Sequence, residues 1–376
     1  MGPLTGLRVV EIEAIGPVPF CAALLSDLGA EIIRIDRRGG PSDPLRLLMG
    51  RNRRSVALDL KHPDGTSAAK RVIGTADVLL EGMRPGVMER LGLGPEVCMD
   101  ANPQLVYGRM TGWGQHGPLA ERAGHDIDYI ALTGALHSVG AADGPPPPPL
   151  NLFGDFGGGS LYLALGVLAA LHERTTSGRG QVVDAAMVDG ATSLLTMAYE
   201  MRAIGLWGDE RESNLLDGGA PFYRCYATAD GKYMAVGAIE PPFYAALLEG
   251  LELEPDDLPS QFDRGRWAEL HRRFEDCFRT RTQAEWERVF EGSDACVAPV
   301  LSMAEAPQHP HLVARGTFVT EDGPPRPAPA PRFDRTPASR RATPAPAPGA
   351  DTVAVLAEVG FEPAAIAALR QKGVID

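Results

Sequence analysis

The sequence has few cysteines and no pairing pattern among them. The 376-residue chain carries five, at positions 21, 98, 225, 277 and 296, and none forms a Cys-x-x-Cys pair. This scatter excludes a small disulfide framework, and the sequence contains no His/Cys spacing typical of a zinc site. We therefore expect no metal site and a reducing, cytoplasmic location.

Positive charge is also scarce. Lysine occurs only at positions 61, 70, 232 and 372, and 36 basic residues face 49 acidic ones, which gives a net charge of −13. A surface this acidic argues against a nucleic-acid partner. The N-terminus lacks a basic segment followed by an apolar core, and no apolar run reaches transmembrane length. We expect neither a signal peptide nor a membrane partner.

A β-α-β unit opens the chain. Residues 7–12 and 31–36 are predicted as strands, and residues 19–28 as a helix that begins with proline and stops at a glycine. Such a unit indicates a parallel sheet. The turn at 13–19 is not Gly-x-Gly-x-x-Gly, so it gives little support to a dinucleotide site.

The later pattern indicates a second, smaller α+β part. A hairpin is predicted around Asp230-Gly231, a dipeptide that favours tight turns between strands. The predicted fold class is α/β with a parallel sheet in the large domain. The predicted organisation is a large domain at 1–187 completed by 330–376, a linker helix at 188–220, a small domain at 221–310, and a Pro-rich return linker at 311–350.

Arginine is concentrated just after the second predicted strand. Seven arginines and two acids lie between positions 34 and 54, a local excess of +5 in an acidic chain; the arginines are 34, 37, 38, 46, 51, 53 and 54. One interpretation is a solvated loop with scattered surface charge. The other is a site for a phosphate-rich ligand, because the guanidinium fork suits phosphate oxygens.

His125 and Asp155 are the candidate acid–base pair. Each lies beside a glycine and shortly before an apolar, helix-like run, with helices predicted from 126 to about 137 and from 160 to 174. A helix N-terminus disfavours an imidazolium, and a neutral imidazole near pH 7 is a competent base. The alternatives are structural: a histidine on a helix usually serves packing, and Asp126 and Asp155 could each be only a helix cap.

A run of glycines surrounds Asp155. Gly154, Gly157, Gly158 and Gly159 remove side chains from the approach to the carboxylate, so that backbone could come close to a ligand. N–H groups at the helix start, near Asp126 and Gly157, could then face a developing oxyanion. Glu240, at a strand end before two prolines, is a further candidate for orienting His125.

Several separate segments carry a resemblance to a known family. They include Gly-His-Asp-Ile-Asp-Tyr at 124–129 and Asn-Leu-Phe-Gly-Asp-Phe-Gly-Gly-Gly-Ser at 151–160; the others lie at 4–11, 34–40, 52–61, 84–86 and 229–240. Together they resemble the family III CoA-transferases, and within them the racemase branch that acts on 2-methylacyl-CoA thioesters. The resemblance covers essentially the whole chain.

This resemblance implies an interlocked homodimer with a Rossmann-like large domain. Each active site would lie between the large domain of one chain and the small domain of the other. The substrate would be an acyl-CoA thioester, and no further cofactor would be required. His125 and Asp155 match the family's acid–base pair, and Glu240 matches a supporting carboxylate.

The resemblance also implies which residues hold CoA. Arg37 would bind the adenosine phosphates, and the remaining groove residues would be Ala57, Leu58, Asp59, Leu60, Gly82, Met83, Arg84, Arg90, Gly124, Asp126, Ile127, Asp128 and Tyr129. Two positions depart from the usual pattern of this branch. Asp128 stands where asparagine is usual, which adds a negative charge near the site, and Arg38 stands where proline is commoner.

Three functions are compatible with these residues. The first is inversion of the α-carbon of a 2-methylacyl-CoA by 1,1-proton transfer through an enolate. The second is CoA transfer between acids, with Asp155 as the nucleophile; transferases of this superfamily generally lack the histidine. The third is a catalytically silent protein that binds CoA or a nucleotide.

Overall fold

The computed structural model describes residues 2–40, 49–320, 323–339 and 342–376. The chain forms two compact units, each assembled from separate segments. Unit 1 comprises Met1–Thr133, Leu150–Leu194 and Arg326–Asp376, and unit 2 comprises Gly134–Pro149 and Leu195–Pro325.

Unit 1 is built on a parallel sheet. Six strands of the described residues pair in the order β3-β2-β1-β4-β5-β6, and every neighbouring pair is parallel. They are β1 Arg8–Ile12, β2 Glu31–Arg37, β3 Arg53–Leu58, β4 Val78–Glu81, β5 Val106–Thr111 and β6 Val182–Ala186. Buried apolar runs are typical of strands covered on both faces. The predicted α/β class with a parallel sheet is confirmed.

Helices cover both faces of this sheet. Val9 and Val10 on β1 point to opposite faces and belong to two separate apolar cores, because successive strand residues alternate in direction. The helices of unit 1 are α1 Pro17–Asp27, α2 Pro63–Ile73, α3 Val87–Arg90, α4 Pro95–Ala101, α5 Asp126–Leu132, α6 Leu161–Ser177, α7 Met187–Leu194, α13 Thr352–Glu358 and α14 Pro363–Gln371. A short strand, β11 Arg326–Pro327, also belongs to unit 1.

Unit 2 contains an antiparallel sheet in the order β7-β8-β9. The strands are β7 Tyr223–Ala227, β8 Tyr233–Gly237 and β9 Val297–Pro299, with the short β10 Phe318–Val319 apart from them. The predicted hairpin is confirmed, and Gly231 in its turn has φ +74°. Helices α8 Thr196–Ala203, α9 Pro241–Gly250, α10 Trp267–Phe278, α11 Gln283–Phe290 and α12 Pro310–Arg315 complete the unit, with 3₁₀ turns at Pro255–Asp257, Arg264–Arg266 and Ala306–Gln308.

Two helix predictions need correction, and a third predicted helix has an extension that the sequence did not indicate. The helix expected from 126 to about 137 ends at Leu132, shortly before Gly134 takes φ +86°. The helix expected at 160–174 is preceded directly by a π-helical segment, Leu152–Ser160. The linker helix expected at 188–220 is two helices, α7 and α8, and helix ends at Ala203 because Gly205 takes φ +76°.

The π-helical segment and α6 form one long apolar helix. By length and composition, Leu152–Ser177 could cross a membrane, although the core helix of a soluble protein passes the same test. The expectation that no apolar run reaches this length is therefore wrong for this segment. Leu163, Val167 and Ala170 of α6 are buried in one of the two cores that flank the sheet.

The arginine cluster is mostly part of the fold. Arg53 on β3 is fully buried; its Nε lies 2.8 Å from Glu11 Oε2, and another nitrogen donates to the Pro19 carbonyl at 2.7 Å. Arg34 pairs with Asp36, Arg51 with Asp27, and Arg54 with Glu31 and Glu358. Arg46 lies outside the described residues. Neither expected interpretation, a solvated loop or a phosphate site, therefore accounts for most of the excess charge.

We expect Arg53→Ala to lower the free energy of unfolding by about 3–5 kcal/mol, because it leaves the Glu11 carboxylate buried without its partner. Arg54→Ala is the matched control: its ion pairs are partly exposed, and such pairs contribute about 0–1 kcal/mol. Urea unfolding followed by circular dichroism measures both. Equal losses in the two variants would contradict a structural role peculiar to Arg53.

Candidate active site

A cavity of about 1070 Å³ lies at the carboxyl edge of the parallel sheet in unit 1. Its walls come from the segments that follow five strands: 13–18 after β1, 37–38 at the end of β2, 59–61 after β3, 82–85 after β4, and 111–113 with 120–125 at and after β5. Ligands of open α/β sheets bind at this edge. The volume matches that of small-molecule and cofactor pockets.

The cavity brings most of the predicted site residues together. Those that line it are Arg37, Leu58, Asp59, Leu60, Gly82, Met83, Arg84, Gly124, His125, Tyr129 and Asp155. Ala57, Arg90, Asp126, Ile127 and Asp128 are not in its lining. Ala57 is buried in β3, and its N–H donates to Thr352 Oγ1 at 3.0 Å. Glu240 lies in unit 2, immediately before α9.

His125 is held at the start of α5. It immediately precedes the helix, and its backbone N–H donates to Asp128 Oδ2 at 2.9 Å. The preceding Gly124 carbonyl accepts a hydrogen bond from the Tyr129 hydroxyl. Asp128 therefore caps the helix, a task that the oxygen of an asparagine would also perform, and the histidine side chain itself is exposed.

Asp155 reaches the same cavity from the π-helical segment. Asn151 Nδ2 donates to Asp155 Oδ2 at 3.2 Å. Gly16, at the start of α1, has φ +76°, and a Cβ built on it would lie 3.4 Å from the same oxygen. Burial raises the pKa of the Asp155 carboxyl, and the charge of Asp126 adds to this, while Asn151 and His125 lower it.

Asp126 caps the π-helical segment rather than α5, the helix that it begins. Its Oδ2 accepts hydrogen bonds from the N–H groups of Gly154 and Asp155, each at 2.7 Å. The buried carboxylate thus ties the start of the π-helical segment to the start of α5. Nothing in the local sequence signals this contact, because its partners lie 28 and 29 positions away.

The glycine run serves helix packing rather than ligand approach. A Cβ on Gly158 would lie 2.4 Å from the Ala191 nitrogen, and one on Gly190 would lie 1.9 Å from the Gly158 carbonyl oxygen. A Cβ on Gly154 would lie 2.7 Å from Asp126 Oδ2. Gly154, Gly157, Gly158 and Gly159 do not line the cavity. Gly16, which sequence reasoning did not single out, is the glycine that lies against Asp155, and its φ of +76° rather than lack of space favours glycine there.

Cations surround the cavity. Within the described ranges, the side chains of Arg37, Lys61, Arg84 and Arg122 have no hydrogen bond or ion pair to protein groups. Arg38 pairs with Asp376 at 3.0 Å. The predicted site residues did not include Lys61, Arg122 or the aromatic wall residue Trp113. Lys61 and Trp113 lie just after β3 and β5, a position from which ligand contacts are expected, whereas Arg122 lies farther along the loop after β5.

Comparison with known proteins places the chain in a family. The model of CoA-transferase family III matches residues 4–352. The chain belongs to this family. It is 48% identical to the α-methylacyl-CoA racemase of Mus musculus over 374 residues, covering 99% of this chain and 97% of the relative. Identity to the Homo sapiens α-methylacyl-CoA racemase is 46% over the same length and coverage.

A solved structure shares the fold. The crystal structure of a CaiB/BaiF family protein from Brucella suis superimposes with a TM-score of 0.80 at 25% identity, covering 95% of this chain and 99% of that one. The predicted family resemblance is therefore confirmed.

We expect the Asp155 carboxyl to titrate above the ordinary aspartate range. Asn151→Ala should raise its pKa further, because the amide donor stabilises the ionised form. The pKa of this carboxyl is higher in the native protein than in the unfolded chain. At pH values below the unfolded-state pKa it therefore contributes to the free energy of unfolding, and this contribution is lost as the pH rises through the native-state pKa. Carboxyl ¹³C NMR measures the titration, with Asp64 as the unaffected control. A downward shift in Asn151→Ala would contradict this assignment.

Proposed function

We propose that this chain inverts the α-carbon of 2-methylacyl-CoA thioesters. The observation that carries the proposal is that His125 and Asp155 line one cavity, at the carboxyl edge of the sheet, in a chain 48% identical to a curated α-methylacyl-CoA racemase. An imidazole and a carboxyl group in one cavity can hold and release a proton on two sides of one carbon.

The cavity suits a long ligand with a phosphate end. Arg37 and Lys61 lie at the ends of β2 and β3, whereas His125 follows β5. In the strand order, β2 and β5 are three spacings apart, roughly 14 Å at about 4.8 Å per strand. CoA phosphates at the end that holds Arg37 and Lys61 would leave the pantetheine arm to reach the end that holds His125, so remote binding energy would position the reacting carbon.

The reaction would consist of two proton transfers. One group removes the α-proton, and the C–H electron pair becomes the enolate of the thioester. The other group returns a proton to the opposite face, so no net proton is gained or lost. His125 would be base and Asp155 acid in one direction, and the roles would reverse in the other. Because the thioester itself acidifies the α-carbon, we propose that no metal or redox cofactor is needed.

The start of α5 would stabilise the enolate. The N–H groups of Asp126 and Ile127 have no acceptor among the described residues, and both lie directly after His125. Such donors are worth on the order of 10²–10³ in rate each. The other expected donor region, near Gly157, lies within the π-helical segment Leu152–Ser160, where the Gly157 N–H belongs to the helical hydrogen-bond pattern. We therefore assign the oxyanion site to α5 alone.

We also propose that the chain works as an interlocked homodimer in which Glu240 of one chain supports His125 of the other. The support is an exposed apolar surface on α5, the π-helical segment and α6, which pack against one another. Leu132, Leu161 and Leu165 on this surface are 67%, 52% and 63% exposed. Such a patch on one side of a protein marks an interaction site.

The proton-exchange proposal predicts that deuterium from heavy water enters the α-position of 2-methylacyl-CoA with no acceptor acid present. His125→Ala and Asp155→Ala should each lower the exchange rate by roughly 10²–10⁴, because one proton carrier is lost, while CoA binding by calorimetry survives. Mass spectrometry of the recovered thioester measures the exchange.

The control for this experiment is a hydroxylamine trap in the presence of acyl-CoA. A transferase would form a covalent intermediate on Asp155, and hydroxylamine would capture it. CoA movement to free acids without deuterium incorporation would refute the racemase. Unchanged exchange in both alanine variants would refute the assignment of the pair.

The dimer proposal predicts sedimentation at twice the chain mass of 40.1 kDa. Leu165→Glu should dissociate the dimer, because a carboxylate cannot be buried there without a partner. Val97→Glu on α4 is the matched control, since Val97 is also exposed but lies outside this surface. A monomeric wild type, or equal effects of the two variants, would contradict the proposed interface.

A further inference from the structure

One buried carboxylate connects the two halves of the proposed acid–base pair. Asp126 is 6% exposed and begins α5, directly after His125. Its Oδ2 accepts the N–H of Asp155 and of the preceding Gly154, both at 2.7 Å. Its Oδ1 has no partner among the described residues. All of the hydrogen bonding recorded for this side chain is therefore directed at the segment that carries Asp155.

The neighbouring residues are adapted to this contact. A Cβ at position 154 would lie 2.7 Å from Asp126 Oδ2 and 2.9 Å from its Cγ, closer than real Cβ atoms come. A side chain at 154 would thus push the two segments apart. The Ser160 hydroxyl lies 2.7 Å from the Pro17 carbonyl oxygen and 3.0 Å from the Asp155 carbonyl oxygen. These contacts anchor the C-terminal end of the π-helical segment to α1.

We propose that Asp126 is a positioning residue whose carboxylate fixes the separation between the His125 imidazole and the Asp155 carboxylate. The inference rests on the proposed proton exchange between these two groups. The connection from one to the other runs through a single peptide bond and one hydrogen-bonded side chain.

Proton transfer on both faces of one carbon depends on a fixed separation between the two groups, which the Asp126 hydrogen bonds provide. The α-carbon has to lie within reach of both groups, and a misplacement of about 1 Å can cost on the order of 10² in rate. His125 itself is exposed, and α5 has only seven residues. Among the described residues, Asp126 makes the hydrogen bonds from the start of α5 to the segment that carries Asp155, whereas packing contacts alone tolerate small displacements.

Asp126 also contributes a charge near Asp155. The charged or titratable groups that act on Asp155 are Asp126, His125 and Tyr129, all from α5 or the residue before it, and Asn151 donates to it from its own segment. The α1 side presents Gly16, which carries no charge. Removing the Asp126 charge alone therefore lowers the pKa of Asp155, whereas removing the side chain also removes its hydrogen bonds to the Gly154 and Asp155 N–H groups.

Two substitutions separate the hydrogen bonds that Asp126 accepts from the effect of its charge. Asp126→Asn keeps an oxygen that can accept both N–H groups but loses the charge, and Asp126→Ala loses both. Asp77→Ala is the matched control: Asp77 Oδ2 likewise accepts a backbone N–H, from Arg8 at 2.9 Å, but Asp77 directly precedes β4 at the opposite edge of the sheet. The readouts are deuterium exchange, kcat and KM in both directions, CoA binding and thermal unfolding.

We expect Asp126→Ala to lower kcat in both directions by roughly 10²-fold while CoA affinity stays within about threefold. Asp126→Asn should retain at least about tenfold more kcat than Asp126→Ala, with the acid limb of its pH profile moved to lower pH. Asp77→Ala should lose thermal stability but keep kcat. If Asp126→Ala fails to fold, the pH profile and the kcat of Asp126→Asn still decide the matter.

Four results would overturn the proposal. The first three are a kcat in Asp126→Ala within twofold of wild type, an equal loss of kcat in Asp77→Ala, and an acid limb in Asp126→Asn that stays in place or rises. The fourth is loss of CoA binding in Asp126→Ala, which would make Asp126 a ligand-binding residue instead. A wild type that shows no deuterium exchange would refute the proposed function itself, and the other outcomes leave that function intact.

Discussion

A parallel sheet places the carboxyl ends of all its strands at one edge, and this constraint creates the site. The cavity is lined by the segments that follow β1, β2, β3, β4 and β5, although these segments are spread from residue 12 to residue 125 of the chain. Strand order decides which of them are neighbours. The order puts the cations that end β2 and β3 at one side of the cavity and His125 at the other, so the sheet itself defines the direction in which a long anionic ligand would lie.

The elements that the sequence predicted well are those with local causes. The apolar runs at β1 and β2 read as strands because both faces of the sheet are covered, and the hairpin at Asp230-Gly231 reads as a turn because Gly231 can take a positive φ. His125 and Asp155 stood out for a similar reason: each precedes an apolar helical run. The structure shows in addition that both residues line the same cavity. Their proximity depends on the order of the strands in the sheet rather than on the sequence of either segment.

The elements that could not be predicted depend on contacts between distant segments. Arg53 and Arg37 belong to the same basic stretch, yet Arg53 is buried against Glu11, and Arg37 lines the cavity with a side chain that has no partner among the described residues. The different positions of these two arginines follow from the register in which β1, β2 and β3 pair, which is not visible in the sequence. The glycine run was open to the same misinterpretation, because its close contacts are with Gly190, Ala191 and Asp126, none of which is near it in sequence.

The environment of Asp155 suits the proposed proton exchange better than it suits nucleophilic attack. Burial and the Asp126 charge raise the pKa of this carboxyl, which brings it closer to the range in which imidazoles titrate. A reversible racemase needs that closeness, because each group is the acid in one direction and the base in the other, and a large difference in basicity would slow one of them. A transferase nucleophile has the opposite requirement, since only the ionised carboxylate attacks. The amide of Asn151 and the charge of His125 limit the rise in the pKa of Asp155.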